Sequence, residues 1–73
     1  MAQDRRLGSA LRLVRVYYEA GQADVARRAG LCQSALSAIE HGDRRPQPAR
    51  ALAILEAIVD ALAELAAHRR RSR

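Results

Sequence analysis

The chain has no lysine, no tryptophan and no phenylalanine, a single cysteine, and two prolines that stand close together at positions 46 and 48. Each scarcity excludes something. One cysteine rules out a disulfide within the chain and fits a reducing cytoplasm, which is the expected location. No apolar run approaches the roughly 20 residues that cross a bilayer. The opening Met-Ala-Gln-Asp-Arg-Arg lacks the apolar stretch of a secretory leader, so no signal peptide is expected. A core without large aromatics rests on Leu, Ile, Val and Ala, which suits closely packed helices and argues against a roomy ligand pocket. There is no glycine-rich phosphate loop and no nucleophile–base constellation, so neither an enzyme nor a bound cofactor is expected. Cys32 and His41 are nine residues apart on one predicted helix, about 180° around it, and cannot share a metal ion. Cys32 is expected to be an inert, partly buried thiol.

The 73 residues make one domain at most, and a chain of that size buries only roughly 60% of its unfolded surface. Helix formers dominate and no strand-like alternation occurs, so the fold class is all-α. Every basic residue is Arg, and the charge is uneven. Residues 1–50 carry a net +4, residues 51–68 a net −3, and residues 69–73 hold four Arg, for a total of +5. A sequence pI of about 11.0 favours a polyanionic partner, of which nucleic acid is the commonest.

Punctuation divides the chain into four helices. Asp4 caps a first helix over about 5–18, with Leu7, Leu11, Val14 and Tyr18 on one stripe. Tyr18 is expected inside and Tyr17 near the surface. Gly8 weakens this helix by about 1 kcal/mol relative to Ala. A second helix, about 22–29, opens after Gly21 with Asp24 in its first turn and Arg27 and Arg28 in its last, each suited to the macrodipole. Gly30 ends it in a left-handed turn. A third helix, about 33–41, begins after Cys32, which stands where a hydroxyl cap is usual, and Gly42 closes it. Prolines forbid helix over 43–48. The last helix starts at Pro48 or Ala49 and runs to about His68, followed by a frayed basic tail. On it Leu52, Ile54, Leu55, Ile58, Val59, Leu62 and Leu65 fill an arc of roughly 160°, whereas a surface helix of a monomer needs about 100°. The surplus predicts a second partner on this helix. Glu56, Asp60 and Glu64 form an acidic ridge opposite.

The stretch Gln22 to Pro46 therefore reads as two short helices meeting at Gly30. Val25, Ala26 and Ala29 face inward from the first, and Leu36 and Ile39 from the second. Gln33, Ser34 and Ser37 point outward. Such a helix pair is the unit that presents one helix to a DNA groove.

From Leu11 to Pro46 the chain resembles the Xre/Cro-type helix-turn-helix family, which includes phage repressors and bacterial antitoxin regulators. The matching residues are Leu11-Arg12 and Arg15, then Gln22, Val25-Ala26, Ala29-Gly30-Leu31, Leu36-Ser37, Ile39-Glu40, Gly42 and Pro46, in order and without a gap. The resemblance implies a small four-helix bundle of the phage repressor-like type with residues 1–48 as the DNA-binding part, and the lack of any break after Pro48 makes 49–73 a long C-terminal helix, one domain overall. It also implies roles. Gln33, Ser34, Ser37 and Ala38 would read base edges, since Gln can bond adenine bidentately and a small apolar side chain can meet the thymine methyl. Gln22, Arg12, Arg44 and Arg45 would hold phosphates. Arg15 and Glu40 would form a structural ion pair between the first and third helices. The chain departs from the pattern at Gly21 and Cys32, which replace hydroxyl caps, at Ala20, which replaces a larger apolar residue, and in its unbroken last helix.

The expected function is a sequence-specific regulator in a bacterial or phage cytoplasm. It would act as a repressor on an inverted repeat of double-stranded DNA, as a homodimer joined through Leu55, Ile58, Val59, Leu62 and Leu65. The competing reading is an antitoxin or adaptor whose last helix docks a protein such as a toxin.

Overall fold

The structure is a computed structural model that describes residues 2–71, with side chains from Arg6 onward. The capping role expected of Asp4 lies outside the described side chains, and the end of the basic tail, Ser72 and Arg73, lies outside the described residues. Within these bounds the chain forms α1 (Ala2–Tyr17), α2 (Gln22–Arg28), α3 (Gln33–Glu40) and α4 (Pro48–Arg71). The all-α bundle read from the sequence is the fold.

The first three helices end in the same way. A residue with positive φ follows each: Glu19 at 59°, Gly30 at 75° and Gly42 at 82°. Behind each, a backbone N–H reaches five residues back, from Ala20 to Arg15, Leu31 to Ala26 and Asp43 to Ala38, at 2.8–2.9 Å. These bonds satisfy carbonyls that a helix end leaves open. The first turn departs from the sequence reading, which placed the break at Ala20-Gly21. Glu19 takes the left-handed position instead, and Gly21 is extended at the start of α2. Neither Gly21 nor Cys32 makes a side-chain cap bond, as their residue types predict.

The core joins Leu11 of α1, Val25, Ala26 and Ala29 around α2, Leu36 and Ile39 of α3, and Ile54, Ala57 and Ile58 of α4. Alanine at three of these positions lets the helices approach closely. Helix α1 lies on α3 through Gly8, and a β-carbon built there would stand 2.0 Å from the Ile39 carbonyl oxygen. This approach rotates α1 away from the orientation its apolar stripe predicts. Only Leu11 of the stripe is buried. Tyr18, expected inside, is 45% exposed, and Leu7 and Val14 are left partly open with it.

Helix α4 differs from expectation in its length and in its apolar arc. It stays helical through Arg71, so the tail from His68 to Arg71 is ordered helix. Its 24 residues span about 36 Å in a molecule 47 Å long. Its apolar arc is also divided. Ile58 is 1% exposed and belongs to the subunit's own core, so it is not available to a partner as the arc alone implied. Leu62 packs partly against that core. Leu55 and Leu65 are left about two-fifths open, and Val59 is 61% exposed. Glu64 is drawn out of the acidic ridge by an ion pair with Arg28, which also holds Asp24 at 3.0 Å. The charges at the ends of α2 thus serve as a clasp on α4, beyond their fit to the macrodipole.

Candidate nucleic-acid interface

Helix α3 buries one face and shows the other. Ala35, Leu36, Ile39 and Glu40 are inside, which the helical period places on a single side. Gln33 and Ser34 are exposed in its first turn, and Ser37 and Ala38 are half-buried behind them. At the far end the His41 Nδ1–H donates to the Ser37 carbonyl at 2.7 Å, with the Ser37 hydroxyl 3.4 Å from the same nitrogen.

Among the described residues Glu40 is the one charged residue buried in the core, 3% exposed. Burying a carboxylate is costly unless it is paired and hydrogen-bonded. Here Arg15 Nε donates to Oε2 at 2.6 Å and Arg15 Nη2 to Oε1 at 2.9 Å, a two-pronged bond of the kind planar guanidinium favours. Arg15 Nη1 also donates to the Ala20 carbonyl at 2.9 Å, so the same side chain braces the α1–α2 turn. The ion pair implied by the resemblance is thus present in the geometry. No buried side-chain nitrogen or oxygen among the described residues lacks a partner.

The network continues toward the surface. Gln22 Nε2 donates to Glu40 Oε1 at 3.0 Å, and Gln33 Nε2 donates to Gln22 Oε1 at 3.2 Å. Gln22 was expected at a phosphate. Its amide oxygen and one amide hydrogen are instead engaged within the chain, and it joins the buried pair to the exposed Gln33. Sequence spacing gives no sign of this link, because it closes only when α3 packs across both α1 and α2.

Cys32 is exposed, contrary to the expected partial burial. Its Sγ lies 3.3 Å from Ser34 Oγ, and the bond from Ser34, with help from the Ala35 N–H, holds the thiol below its ordinary value.

Arg44 and Arg45 are exposed on the loop after α3. The Asp43 and Arg44 N–H groups both bond the Ala38 carbonyl, at 2.9 and 3.3 Å, which pins the loop to the helix end. Arg50, from the first turn of α4, borders the same shallow depression as Arg44 and Arg45, together with Leu31 and Pro46. The sequence reading passed over Arg50; its nearness to the Pro46–Pro48 loop was the available signal. Arg12 is exposed on α1 and makes no hydrogen bond or ion pair among the described residues. The structure therefore brings together Gln22 with Gln33, and Arg44 with Arg45, while Arg12 is joined to neither group.

No helix of the described residues is long and apolar enough to cross a membrane. Comparison with curated proteins and with solved structures gave no match. A family model described as helix-turn-helix matches residues 22–58, half of the chain, and spans α2, α3, the loop and the first part of α4. With two short helices meeting at a left-handed Gly30 and a polar outer face on the second, the chain belongs to the Xre/Cro-type helix-turn-helix family of DNA-binding regulators.

Proposed function

We propose that the protein is a transcriptional repressor that occupies an inverted-repeat operator as a homodimer. The observation that carries this reading is the division of α3. Its inner face is fully committed to the core, while Gln33 and Ser34 stand exposed where a base edge would meet them. In this reading Gln33, Ser34, Ser37 and Ala38 read base edges, and Arg44, Arg45 and Arg12 hold phosphates, with Arg50 added to them. Gln22 acts mainly through Gln33. The body of the protein and the cytoplasmic setting serve that binding, and no catalytic step is assigned to it.

The homodimer rests on α4. Leu52, Leu55, Val59, Leu62 and Ala66 recur at alternating steps of three and four, the spacing of a helix–helix seam. Leu52, Leu55 and Val59 are open on that surface with Leu65 beside it, and Val14 of α1 and Tyr18 just after it are similarly uncovered. Two copies would set their α3 helices into successive major grooves about 34 Å apart.

One observation favours a second reading, an antitoxin or adaptor that also binds a protein such as a toxin. Leu13, Val16 and Tyr17 are at least half exposed on the side of α1 away from Leu11, which a pairing through α4 leaves uncovered.

Selection of bound sequences from a random duplex pool with the purified chain tests the main reading. A palindromic consensus with two half-sites one helical turn apart is the expected result. Failure to enrich any sequence, or a stable complex only with a heterologous protein, would overturn it.

A further inference from the structure

We propose that the C-terminal end of α4 is a second DNA contact, which grips the phosphates of a duplex segment other than the one under α3, whatever its sequence. The inference rests on the reading of α3 as the DNA-facing helix and adds a site to it.

Arg69, Arg70 and Arg71 follow one another at the end of α4, and all three are exposed. Cations suit a helix C-terminus, which accounts for positive charge there but not for three guanidinium groups with no acceptor. None of the three makes an ion pair or a hydrogen bond among the described residues. The acids nearest in the fold are occupied or out of reach. Asp24 is bound by Arg27 and Arg28, and Glu64 by Arg28. Asp60 stops about 13 Å short of Arg69 along the axis, and Glu56 lies farther back. Successive helical residues are about 100° apart, so the three guanidinium groups fan around the helix end. A single carboxylate would engage one of them, whereas a row of phosphates offers each an acceptor that a guanidinium bonds with two parallel N–H groups.

This end is also remote from the α3 surface. The first residue of α2, Gln22, is bonded to Gln33 of α3. The last, Arg28, borders a shallow recess with His68 and Arg71. On α4, Arg50 shares a depression with Arg44 and Arg45, and Arg70 comes 20 residues later, about 30 Å along the helix. That is about three screening lengths in 0.1 M salt, so the two basic groups act on separate stretches of backbone. Between them Glu56 and Asp60 are exposed and without an ion pair among the described residues, and they repel a straight duplex laid from one group to the other. The phosphates at Arg69 to Arg71 therefore belong to another segment, and the protein holds two segments together.

The test compares the wild type with a variant carrying Arg69→Gln, Arg70→Gln and Arg71→Gln, which keeps good helix formers at all three positions. The duplex enriched by selection is fixed to beads and loaded with protein, and a labelled duplex of unrelated sequence is added at low salt. The triple variant should retain at least about fivefold less labelled duplex than the wild type, while its affinity for the fixed duplex stays within about threefold. Equal retention by both proteins, or none by the wild type, overturns the proposal and leaves the regulator reading standing. A loss of more than about tenfold in affinity for the fixed duplex places the arginines on the same segment as α3 and overturns it too. A second measurement needs neither a variant nor an enriched sequence. On titration of the wild type with a short random duplex, the NMR amide signals of residues 68–71 and of α3 should both shift. Shifts confined to α3 overturn the proposal, and shifts at 68–71 without α3 overturn the regulator reading. If residues 68–71 respond to a polyglutamate peptide and not to the duplex, their partner is an acidic protein and the proposal falls.

Discussion

Gly8 lies so close to Ile39 that a β-carbon on the glycine would stand 2.0 Å from the Ile39 carbonyl oxygen and 3.1 Å from its carbon. Both are backbone atoms at the end of α3, so no side chain can swing aside. Gly8→Ala is normally a stabilising change inside a helix, by about 1 kcal/mol. Here it should destabilise the protein by about 2–3 kcal/mol, the upper part of the overpacking range, because α1 and α3 must separate to admit the methyl group. Chemical denaturation of the purified variant measures this directly, and a gain in stability would show that the two helices are not in contact at this point.

Arg15→Ala should lower Tm sharply. The substitution leaves the Glu40 carboxylate buried with Gln22 as its remaining donor and removes the brace on the Ala20 carbonyl. Loss of one partner of a buried pair costs about 3–5 kcal/mol, a large part of the stability of a domain of this size. Thermal unfolding followed by circular dichroism checks it. Unchanged melting with weakened DNA binding would move Arg15 from the scaffold to the interface.

Acid should loosen α4 from α2. The bond from Arg28, set against a smaller cost of burial and aided by Arg27, holds the Asp24 carboxyl below its ordinary value. The bond from Arg28 does the same for Glu64. Carboxyls depressed in the folded state add stability that is complete above the ordinary carboxylate range and is lost as pH falls through that range and below it. Tm should therefore drop from about pH 5 downward, and Arg28→Gln should flatten that drop. At neutral pH the same substitution should lower Tm by as much as it flattens the acid limb, a small amount because the cluster is open to water and screened. An equally steep acid limb in Arg28→Gln would show that other carboxylates govern it.

Val59 and Ile58 are neighbours with opposite exposures, 61% and 1%. Val59→Glu should leave the fold intact and convert a dimer to a monomer in sedimentation equilibrium. Ile58→Glu should unfold the chain, because it places an unpaired charge in the core. A wild-type protein that sediments as a monomer at high micromolar concentration would count against pairing through α4.

Much of this architecture was legible in the residues, and what escaped has a common cause. Glycines at 30 and 42 and prolines at 46 and 48 act locally, and the elements they bound end within a residue or two of where the sequence places them. The Arg15–Glu40 pair came from the resemblance, since no local rule connects residues 25 positions apart. Tyr18 was misplaced because the period of a stripe tells which residues share a side, and not how that side is turned. The turning was decided by Gly8, where the missing side chain lets α3 approach. The Gln22 bond to Glu40 was missed for the same reason: it exists only after three helices have packed.

Tyr17 and Tyr18 are the only aromatic side chains apart from histidine, and their rings meet edge to face with centroids 4.9 Å apart. Both sit on the outside at the C-terminal end of α1, Tyr17 as its last residue and Tyr18 in the turn after it, at 77% and 45% exposure. Ultraviolet emission from this protein therefore reports a single outer patch and almost nothing of the interior. Unfolding should barely alter it, whereas anything settling on that end of α1 should change its intensity, so the chain carries a native fluorophore for detecting contact there without a label.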